Sequence, residues 1–237
     1  CLVALADKEG LMEKLFAHRF GGSGNLTGHS FGNLFIAALI EVLGDVEEAM
    51  DATSKVLRVR GKVIPSSAEK IRLNAEMTDG RIVEGESQIP HAHGKIKRVF
   101  TTPERPKAIH APARAIQEAD AMVLGPGSLY TSIMPNLGEA DIVQAVRTSK
   151  APKIYICNVM TQPGETDDYT VSDHVKAINR QAGGRVIDFV IANNGDVDPA
   201  VLQRYVATGS HPVIIDKKEV SQAGATLILS DLINKEN

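Results

Sequence analysis

The sequence lacks the usual features of membrane, secreted and nucleic-acid-binding proteins. It has no tryptophan, and aromatic residues make up only 4% of its 237 residues, which argues against stacking platforms for bases. The formal net charge of -3 provides no overall basic field for nucleic acid. No apolar run approaches the roughly 20 residues of a membrane-spanning helix, and the first residues show no secretory signal. These absences predict a cytoplasmic protein with no membrane span and no nucleic-acid partner.

Cysteine is also scarce, because the chain contains only Cys1 and Cys157. Two thiols so far apart do not indicate a disulfide framework. Cys157 ends the apolar run that begins at Lys153. This position favours a buried thiol in a strand over a catalytic nucleophile.

The second half of the chain repeats the pattern strand, loop, helix. Apolar strands alternating with helices are typical of a parallel sheet that is buried on both faces. We therefore predict an α/β, Rossmann-like, three-layer fold with helices on both faces of the sheet, and ligands beyond the carboxyl ends of the strands near a topological switch point. The predicted strands are residues 121–124, 153–157, 186–192 and 213–216, and the predicted helices are residues 111–118, 136–148, 170–182 and 198–207.

The first hundred residues have a different organisation. Patterns of apolar residues predict helices at residues 7–20, with Asp7 as a cap, at residues 30–43, and from Asp45 through Leu57. The second of these is apolar almost all round, which predicts a central helix. Residues 60–102 read as a small antiparallel β insertion in a single domain spanning residues 1–237. Within it we expect strands at residues 60–64 and 96–100, and a hairpin pairing residues 71–77 with 81–88 across Asp79-Gly80.

A glycine-rich loop follows the first predicted strand of the parallel sheet. Residues 125–132 read Gly-Pro-Gly-Ser-Leu-Tyr-Thr-Ser. Glycines permit close backbone approach, and a strand that ends in such a loop can direct amides and hydroxyls at a phosphate. A tight turn with helix-capping hydroxyls is the alternative. The position directly after a buried strand favours the anion site.

Two further strands end in asparagine, at Asn158 and at Asn193. A carboxamide can recognise a base edge or a sugar hydroxyl, but an Asx turn explains each residue equally well. The residues alone leave both interpretations open.

The remaining polar candidates have ordinary structural explanations beside the functional ones. Ser30 is a plausible helix cap, so that His29 and Asn33 could face a ligand at the helix start. Tyr205 is by default a core or surface aromatic residue. Asp167 and Asp173 flank a helix start and match no metal-site spacing, so we interpret them as capping residues and expect no metal site.

The same residues resemble the gluconeogenesis factor family of bacterial proteins, within the 2-phospho-L-lactate transferase (CofD-like) superfamily. The resemblance runs over essentially the whole chain. It is carried by residues 1–7, by Gly28-His29-Ser30-Phe31-Gly32-Asn33, by Val59-Arg60-Gly61 and Gly85-Glu86-Ser87, by residues 125–132 with Pro135-Asn136-Leu137, and by residues 157–166.

The resemblance implies a bound phosphorylated, nucleotide-type small molecule. Its expected ligand and phosphate contacts are His29, Asn33, Gly125, Gly127, Ser128, Tyr130, Asn158 and Thr161, followed by Asn193 and by Tyr205 near the uridine sugar. One branch of the superfamily binds UDP-sugars and is tied to cell shape, envelope synthesis and growth on gluconeogenic carbon sources. The other branch moves a phospholactyl group from a GDP-linked donor and uses a divalent metal such as Mg²⁺.

Three functions therefore remain open at this point. A UDP-sugar-binding regulatory protein is favoured, since no acid/base pair or nucleophile stands out in these loops. A phospholactyl-type transferase is the alternative, because such chemistry depends mainly on positioning and charge neutralisation. An NAD-type dinucleotide-binding protein is the third. The catalytic residues, if any, are unknown, and a homodimer is compatible with the fold class.

The sequence departs from the family pattern at its start. Family members begin with a strand, a Gly-Gly-Gly-Thr-Gly phosphate loop and an Asp-Asp-Gly-Gly segment, none of which is present in these residues. A basic segment expected downstream is also missing. We therefore expect the chain to be a piece of a longer protein.

Overall fold

The computed structural model of the chain describes residues 10–67, 69, 71–104 and 109–233. The chain separates into two compact units, Cys1–Ala68 and Glu69–Asn237. The family segment at residues 1–7 and the predicted cap Asp7 lie outside the described residues. The interpretation of residues 1–237 as a single domain stays a prediction.

The first unit contains the helices α1 (Gly10–Ala17), α2 (Phe31–Leu43) and α3 (Val46–Val56). Two of them begin at the predicted caps. The Ser30 side chain accepts a hydrogen bond from the amide of Asn33, and the Asp45 carboxylate accepts one from the amide of Glu48. Such bonds satisfy amides that have no partner in the first turn of a helix.

Helix α2 is not the central, buried helix that its apolar sequence predicts. Among its residues only Gly32 is buried, and Val42 is 79% exposed. Its first turns contact α1 through aromatic rings, with the ring centres of Phe16 and Phe35 5.1 Å apart. Within the described residues, the first unit therefore covers one side of this helix and leaves much of the other exposed.

The second unit begins with a small antiparallel sheet in the order β2-β1-β3. Its strands are β1 (Arg72–Met77), β2 (Ile82–Glu84) and β3 (Ile96–Thr102). The hairpin predicted at Asp79-Gly80 is confirmed, with Ala75 opposite Val83. The second strand ends early, because residues 86–91 form a 3₁₀ helix. The strand predicted at residues 60–64 is wrong, since Gly61 turns the backbone at φ +93°.

A parallel sheet in the order β4-β5-β6-β7 forms the rest of the second unit, and helices flank it. This arrangement confirms the predicted α/β class. In chain order the elements are α4 (His110–Glu118), β4 (Met122–Leu124), α5 (Ala140–Thr148), β5 (Lys153–Ile156), α6 (Val171–Gln181), β6 (Phe189–Asn193), α7 (Pro199–Ala207), α8 (Lys217–Gln222) and β7 (Thr226–Ser230).

The fourth strand of this sheet is not the predicted one. Residues 213–216 form only an isolated bridge, between Ile214 and Thr170. The sheet is completed instead by β7, whose Leu227 lies opposite Val190 of β6. The described strands lie in the sheet in the same order as in the chain. The reversal of strand order that is expected near a ligand site is therefore not found among them.

The core of the second unit lies between the parallel sheet, its helices and the antiparallel sheet. Its largest fully buried side chains include Tyr130, Tyr155, Met77 and Ile89. Burial of side chains of this size supplies most of the driving force for folding. No helix in the described part of the chain combines the length and the apolar character needed to cross a bilayer.

Candidate functional site

The candidate site lies at the carboxyl ends of the parallel strands β4 and β5, within the second unit. Strand β4 ends at Leu124 and leads into the glycine-rich loop at residues 125–132. Strand β5, its neighbour, leads into the polar loop at residues 157–166. Parallel pairing brings both loops to the same edge of the sheet.

The glycines of the first loop are required by its backbone. Gly125 and Gly127 have φ values of +88° and +159°. A Cβ on Gly125 would lie 3.1 Å from the carbonyl oxygen of Ile156, and one on Gly127 would lie 3.2 Å from the Cβ of Ser132. The loop therefore holds its backbone close to β5 and to the following turn, where a side chain would be tightly packed and its backbone strained.

A row of three hydrogen-bonded polar side chains runs from one loop into the other, and we call it the amide bridge: Ser128, Gln162 and Asn158. The Nε2 atom of Gln162 donates to Ser128 Oγ at 2.9 Å. The Nδ2 atom of Asn158 donates to Gln162 Oε1 at 3.3 Å. All three side chains are half-buried, so they are held in place yet accessible. The structure thus brings together the predicted residues Ser128 and Asn158.

Gln162 is the residue of this group that the sequence prediction missed. It lies in the polar loop that carries the family resemblance, but nothing distinguishes it there from its neighbours. Its position is fixed by the loop backbone, because its amide donates to Thr166 Oγ1 at 2.9 Å. Thr166 is itself fully buried.

A buried carboxylate, Glu165, occupies part of the expected phosphate site. Its oxygens accept hydrogen bonds from the amide of Tyr130 at 3.2 Å and from Thr131 Oγ1 at 3.1 Å. Burial raises the pKa of Glu165, although its hydrogen bonds to Thr131 and Tyr130 oppose this shift. An internal carboxyl group therefore already satisfies donors at the start of the turn that follows Ser128.

Tyr130 itself belongs to the core. Its side chain is 1% exposed, and its hydroxyl lies 2.7 Å from that of Tyr169. Burial, together with this hydrogen bond, raises the pKa of Tyr130. In this arrangement the phenol hydroxyl is paired within the core, and a ligand contact of Tyr130 stays a prediction.

Thr161 ties the polar loop to the segment that follows α7. Its Oγ1 accepts a hydrogen bond from the amide of His211 at 2.9 Å, and its own amide donates to the carbonyl of His211 at 2.7 Å. The amide of Ser210 in turn donates to the carbonyl of Tyr205. Tyr205 is 46% exposed at the end of α7. Thr161 directly precedes Gln162 in the chain. Through these hydrogen bonds it connects the loop that carries the amide bridge to the segment that contains Tyr205.

Asn193 closes its own turn, as the Asx interpretation expects. Its Oδ1 accepts hydrogen bonds from the amides of Gly195 at 3.2 Å and Leu232 at 3.0 Å. Its Nδ2 donates to the carbonyl of Gly195 at 2.8 Å. The carboxamide therefore holds the ends of β6 and β7 together.

His29 and Asn33 lie in the first unit, at the start of α2. Both are exposed, and the Ser30 between them caps the helix through the amide of Asn33 at 3.2 Å. The predicted cap is confirmed, and the ligand role of the two side chains stays a prediction.

Cys157 and Asp173 have the structural roles that the sequence favours. Burial raises the pKa of the Cys157 thiol to about 12, and this side chain is 2% exposed, which confirms the buried-thiol interpretation. Asp173 forms a capping box with Thr170, as expected. In the part of the chain that the structure describes, no three His, Cys, Asp or Glu side chains converge as metal ligands would.

Comparison with known proteins shows one consistent relationship. The sequence family described as 2-phospho-L-lactate transferase CofD matches residues 1–233. A gluconeogenesis factor from Bacillus subtilis is 46% identical over 236 residues, which cover 100% of this chain and 74% of that protein. A putative gluconeogenesis factor from Nostoc is 49% identical over 237 residues, with 100% of this chain and 52% of that protein covered. The chain thus spans about half of the Nostoc relative.

Solved structures agree with these sequence matches. A crystal structure of a UPF0052 family protein from Bacillus halodurans superposes with a TM-score of 0.92 at 46% sequence identity. The superposition covers 99% of this chain and 76% of the Bacillus protein. On this evidence, the chain belongs to the gluconeogenesis factor family, within the family of 2-phospho-L-lactate transferase CofD proteins.

Proposed function

We propose that this protein binds a nucleotide sugar, with a UDP-sugar as its ligand, and acts as a regulatory protein without turnover. The observation that carries the proposal is the amide bridge. It presents a hydroxyl and two carboxamides from two neighbouring loops at the carboxyl edge of a parallel sheet. Open α/β sheets bind their ligands on this side, beyond the carboxyl ends of the strands.

The chemistry of the bridge suits a phosphate beside a polar group. Ser128 Oγ accepts a hydrogen bond from Gln162, which leaves its own proton free to be donated to a phosphate oxygen. Gln162 and Asn158 supply further amide donors. Because Glu165 holds the amide of Tyr130, we expect the phosphate on the Ser128 side of the loop.

A binding role without turnover is supported by the ionisable groups nearby. Glu165 is engaged by two donors, and the Cys157 thiol is buried with a raised pKa. The name of the relatives supports a role in growth on gluconeogenic carbon sources. Control of cell shape and envelope synthesis, a cytoplasmic location and a homodimer belong to the same proposal.

A transferase of the phospholactyl type is the second candidate. The match to the 2-phospho-L-lactate transferase family along residues 1–233 favours it. Such an enzyme would use a GDP-linked donor and Mg²⁺. The described residues do not fit a site for this metal, since no acidic cluster is formed by them. We therefore derive no step through a metal ion.

Calorimetric titration of the full-length protein distinguishes these functions. The ligands are UDP-N-acetylglucosamine, GDP and NAD, each with and without magnesium. We expect micromolar binding of the uridine sugar, independent of magnesium and without product formation. Preference for GDP that depends on magnesium would replace the proposal with the transferase, and preference for NAD would replace it with a dinucleotide-binding protein.

A further inference from the structure

A groove on the second unit runs beside strand β3, outside the candidate site. It consists of two clefts, with volumes of about 320 and 410 Å³. The two clefts adjoin each other, because Arg98, Val99 and Gln181 line both of them. Strand β3 forms one wall, and helices α5 and α6 contribute to the other. We call it the basic groove, after the four cationic side chains that line it: Lys97, Arg98, Arg147 and Arg180.

Two of these cations are held side by side by a single carboxylate. The register between β1 and β3 shifts beside Glu76, so that Lys97 is an extra residue in β3 next to Arg98. Both residues donate to Glu76 at 2.6 Å, Lys97 Nζ to Oε1 and Arg98 Nε to Oε2. Their side chains nevertheless stay 60% and 52% exposed. The three groups therefore present one net positive charge to the solvent at a fixed place.

The other two cations have no carboxylate partner in the described part of the chain. Arg180 lies in the last turn of α6 and is exposed, and its side chain makes no hydrogen bond or ion pair with any described residue. Arg147 is also exposed, and it donates only to main-chain carbonyls, with its Nη1 3.1 Å from the oxygen of Gly183. Guanidinium groups in this state can bind an external carboxylate through two hydrogen bonds.

The groove has an excess of positive charge, although the whole chain has a net charge of -3. Its lining contains four cations and one carboxylate, Glu104, and Glu76 supplies a second carboxylate beside it. A local excess of this kind favours an anionic partner. The half-buried side chains of Phe100 and Val143 also line the groove. The partner therefore combines acidic groups with apolar ones.

The length of the groove indicates the class of the anion. Its β3 wall runs from Lys97 to Glu104, which corresponds to about 20 Å of extended chain. A single phosphate or carboxylate would occupy only a small part of this length. Nucleic acid is disfavoured, because its phosphates repeat along the whole strand and would meet Glu104. The guanidinium of Arg98 also lies over the ring of Phe100, 5.0 Å from its centre, where a base would have to stack.

We propose that the basic groove binds an extended, acidic segment of a partner protein. The carboxylates of the segment pair with Arg180 and Arg147 and with the exposed cations beside Glu76, and its apolar side chains lie on Phe100 and Val143. None of the three residues of the amide bridge lines the groove. This interaction is therefore separate from the proposed ligand site and does not depend on the proposed function.

The test measures peptide binding to the full-length protein by fluorescence anisotropy. The probe is a fluorescein-labelled peptide of glutamate alternating with leucine, as long as the seven residues of β3. Peptides with glutamine or lysine in place of glutamate, and an oligothymidylate of the same length, are the comparisons. We expect the glutamate peptide to bind best, and to bind more weakly as salt screens the exposed charges. Failure of this peptide to bind, equal binding of the glutamine peptide, or tighter binding of the oligothymidylate would overturn the proposal.

Substitutions in the groove locate the binding of the glutamate peptide. Arg180→Gln combined with Lys97→Gln removes two exposed cations and should weaken binding about tenfold. Both side chains lie at the surface, so the urea midpoint of this variant should stay close to that of wild type. Lys218→Gln is the matched control, because it removes an equally exposed cation of α8, outside the groove, and should leave binding unchanged. Unchanged binding in the double variant, or an equal loss in the control, would overturn the proposal.

Discussion

Glu165 shows how one buried residue changes the meaning of a glycine-rich loop. The sequence predicts that the amides and hydroxyls of the loop after β4 bind a phosphate. In the structure, Glu165 accepts hydrogen bonds from the Tyr130 amide and the Thr131 hydroxyl. The donors left for an external anion therefore lie in the amide bridge, at Ser128, Gln162 and Asn158.

Removal of either end of the amide bridge should weaken ligand binding. Ser128→Ala or Asn158→Ala deprives a phosphate or sugar of a partially buried partner, and each should cost about 1–3 kcal/mol of binding free energy. Calorimetric titration with UDP-N-acetylglucosamine measures the loss. Ser149→Ala is the matched control, because Ser149 is also half-buried but precedes β5, at the opposite edge of the sheet. Unchanged affinity in both bridge variants would contradict the site.

Glu165 should also make stability depend on pH. Its pKa is raised above the ordinary value of 4.5, mainly by burial, so the folded state binds a proton more tightly than the unfolded state. The stability that Glu165 contributes through this difference is therefore greatest below pH 4.5, and it is lost as the pH rises through the folded-state pKa. Glu165→Gln stays neutral throughout. The free energy of unfolding of this variant should rise relative to wild type as the pH increases.

The measurement is urea unfolding of wild type and Glu165→Gln at pH values from below 4.5 to above the folded-state pKa of Glu165. The exposed Glu219→Gln serves as a control for titration elsewhere in the chain. If the difference in free energy of unfolding between wild type and Glu165→Gln stays constant with pH, Glu165 has no raised pKa.

At the scale of elements, the polar loop after β5 is held against the antiparallel part of the unit. Gly164 has a φ of +80°, and a Cβ there would collide with the backbone carbonyl of Pro90 in the 3₁₀ helix of residues 86–91. The positions of the nearby residues Gln162 and Glu165 therefore depend on this close backbone approach.

Substitution of Gly164 separates this close approach from simple backbone strain. Gly80 has a similar φ of +88° but open space around it, so Gly80→Ala should cost only about 1–2 kcal/mol. Gly164→Ala adds a backbone collision and should cost clearly more, with weaker ligand binding as well. Chemical denaturation of both variants gives the comparison, and equal costs would show that the Pro90 contact is unimportant.

At the scale of the whole molecule, the proposed function predicts that the ligand stabilises the folded protein. A ligand that binds only the folded protein stabilises it by mass action, by about 2.7 kcal/mol at a concentration 100-fold above its dissociation constant. UDP-N-acetylglucosamine should therefore raise the thermal midpoint of the full-length protein. The increase should be smaller for Ser128→Ala at the same ligand concentration, as measured by scanning calorimetry. An equal increase in both proteins would place the ligand elsewhere.

The local sequence determined much of the fold on its own. Ser30 and Asp45 begin helices, and Asp79-Gly80 makes a hairpin, because capping and turn chemistry involve only residues close along the chain. The alternation of apolar strands and helices likewise determined the α/β class and the edge at which the candidate loops meet.

Only the tertiary structure decided which residues those loops bring together. Gln162 reaches Ser128 across 34 positions of the chain, and Glu165 reaches Tyr130 across 35. The same holds for the choice of β7 over residues 213–216. Each depends on which elements pack side by side, and local spacing does not contain that information, because packing is a property of residues that are distant in sequence.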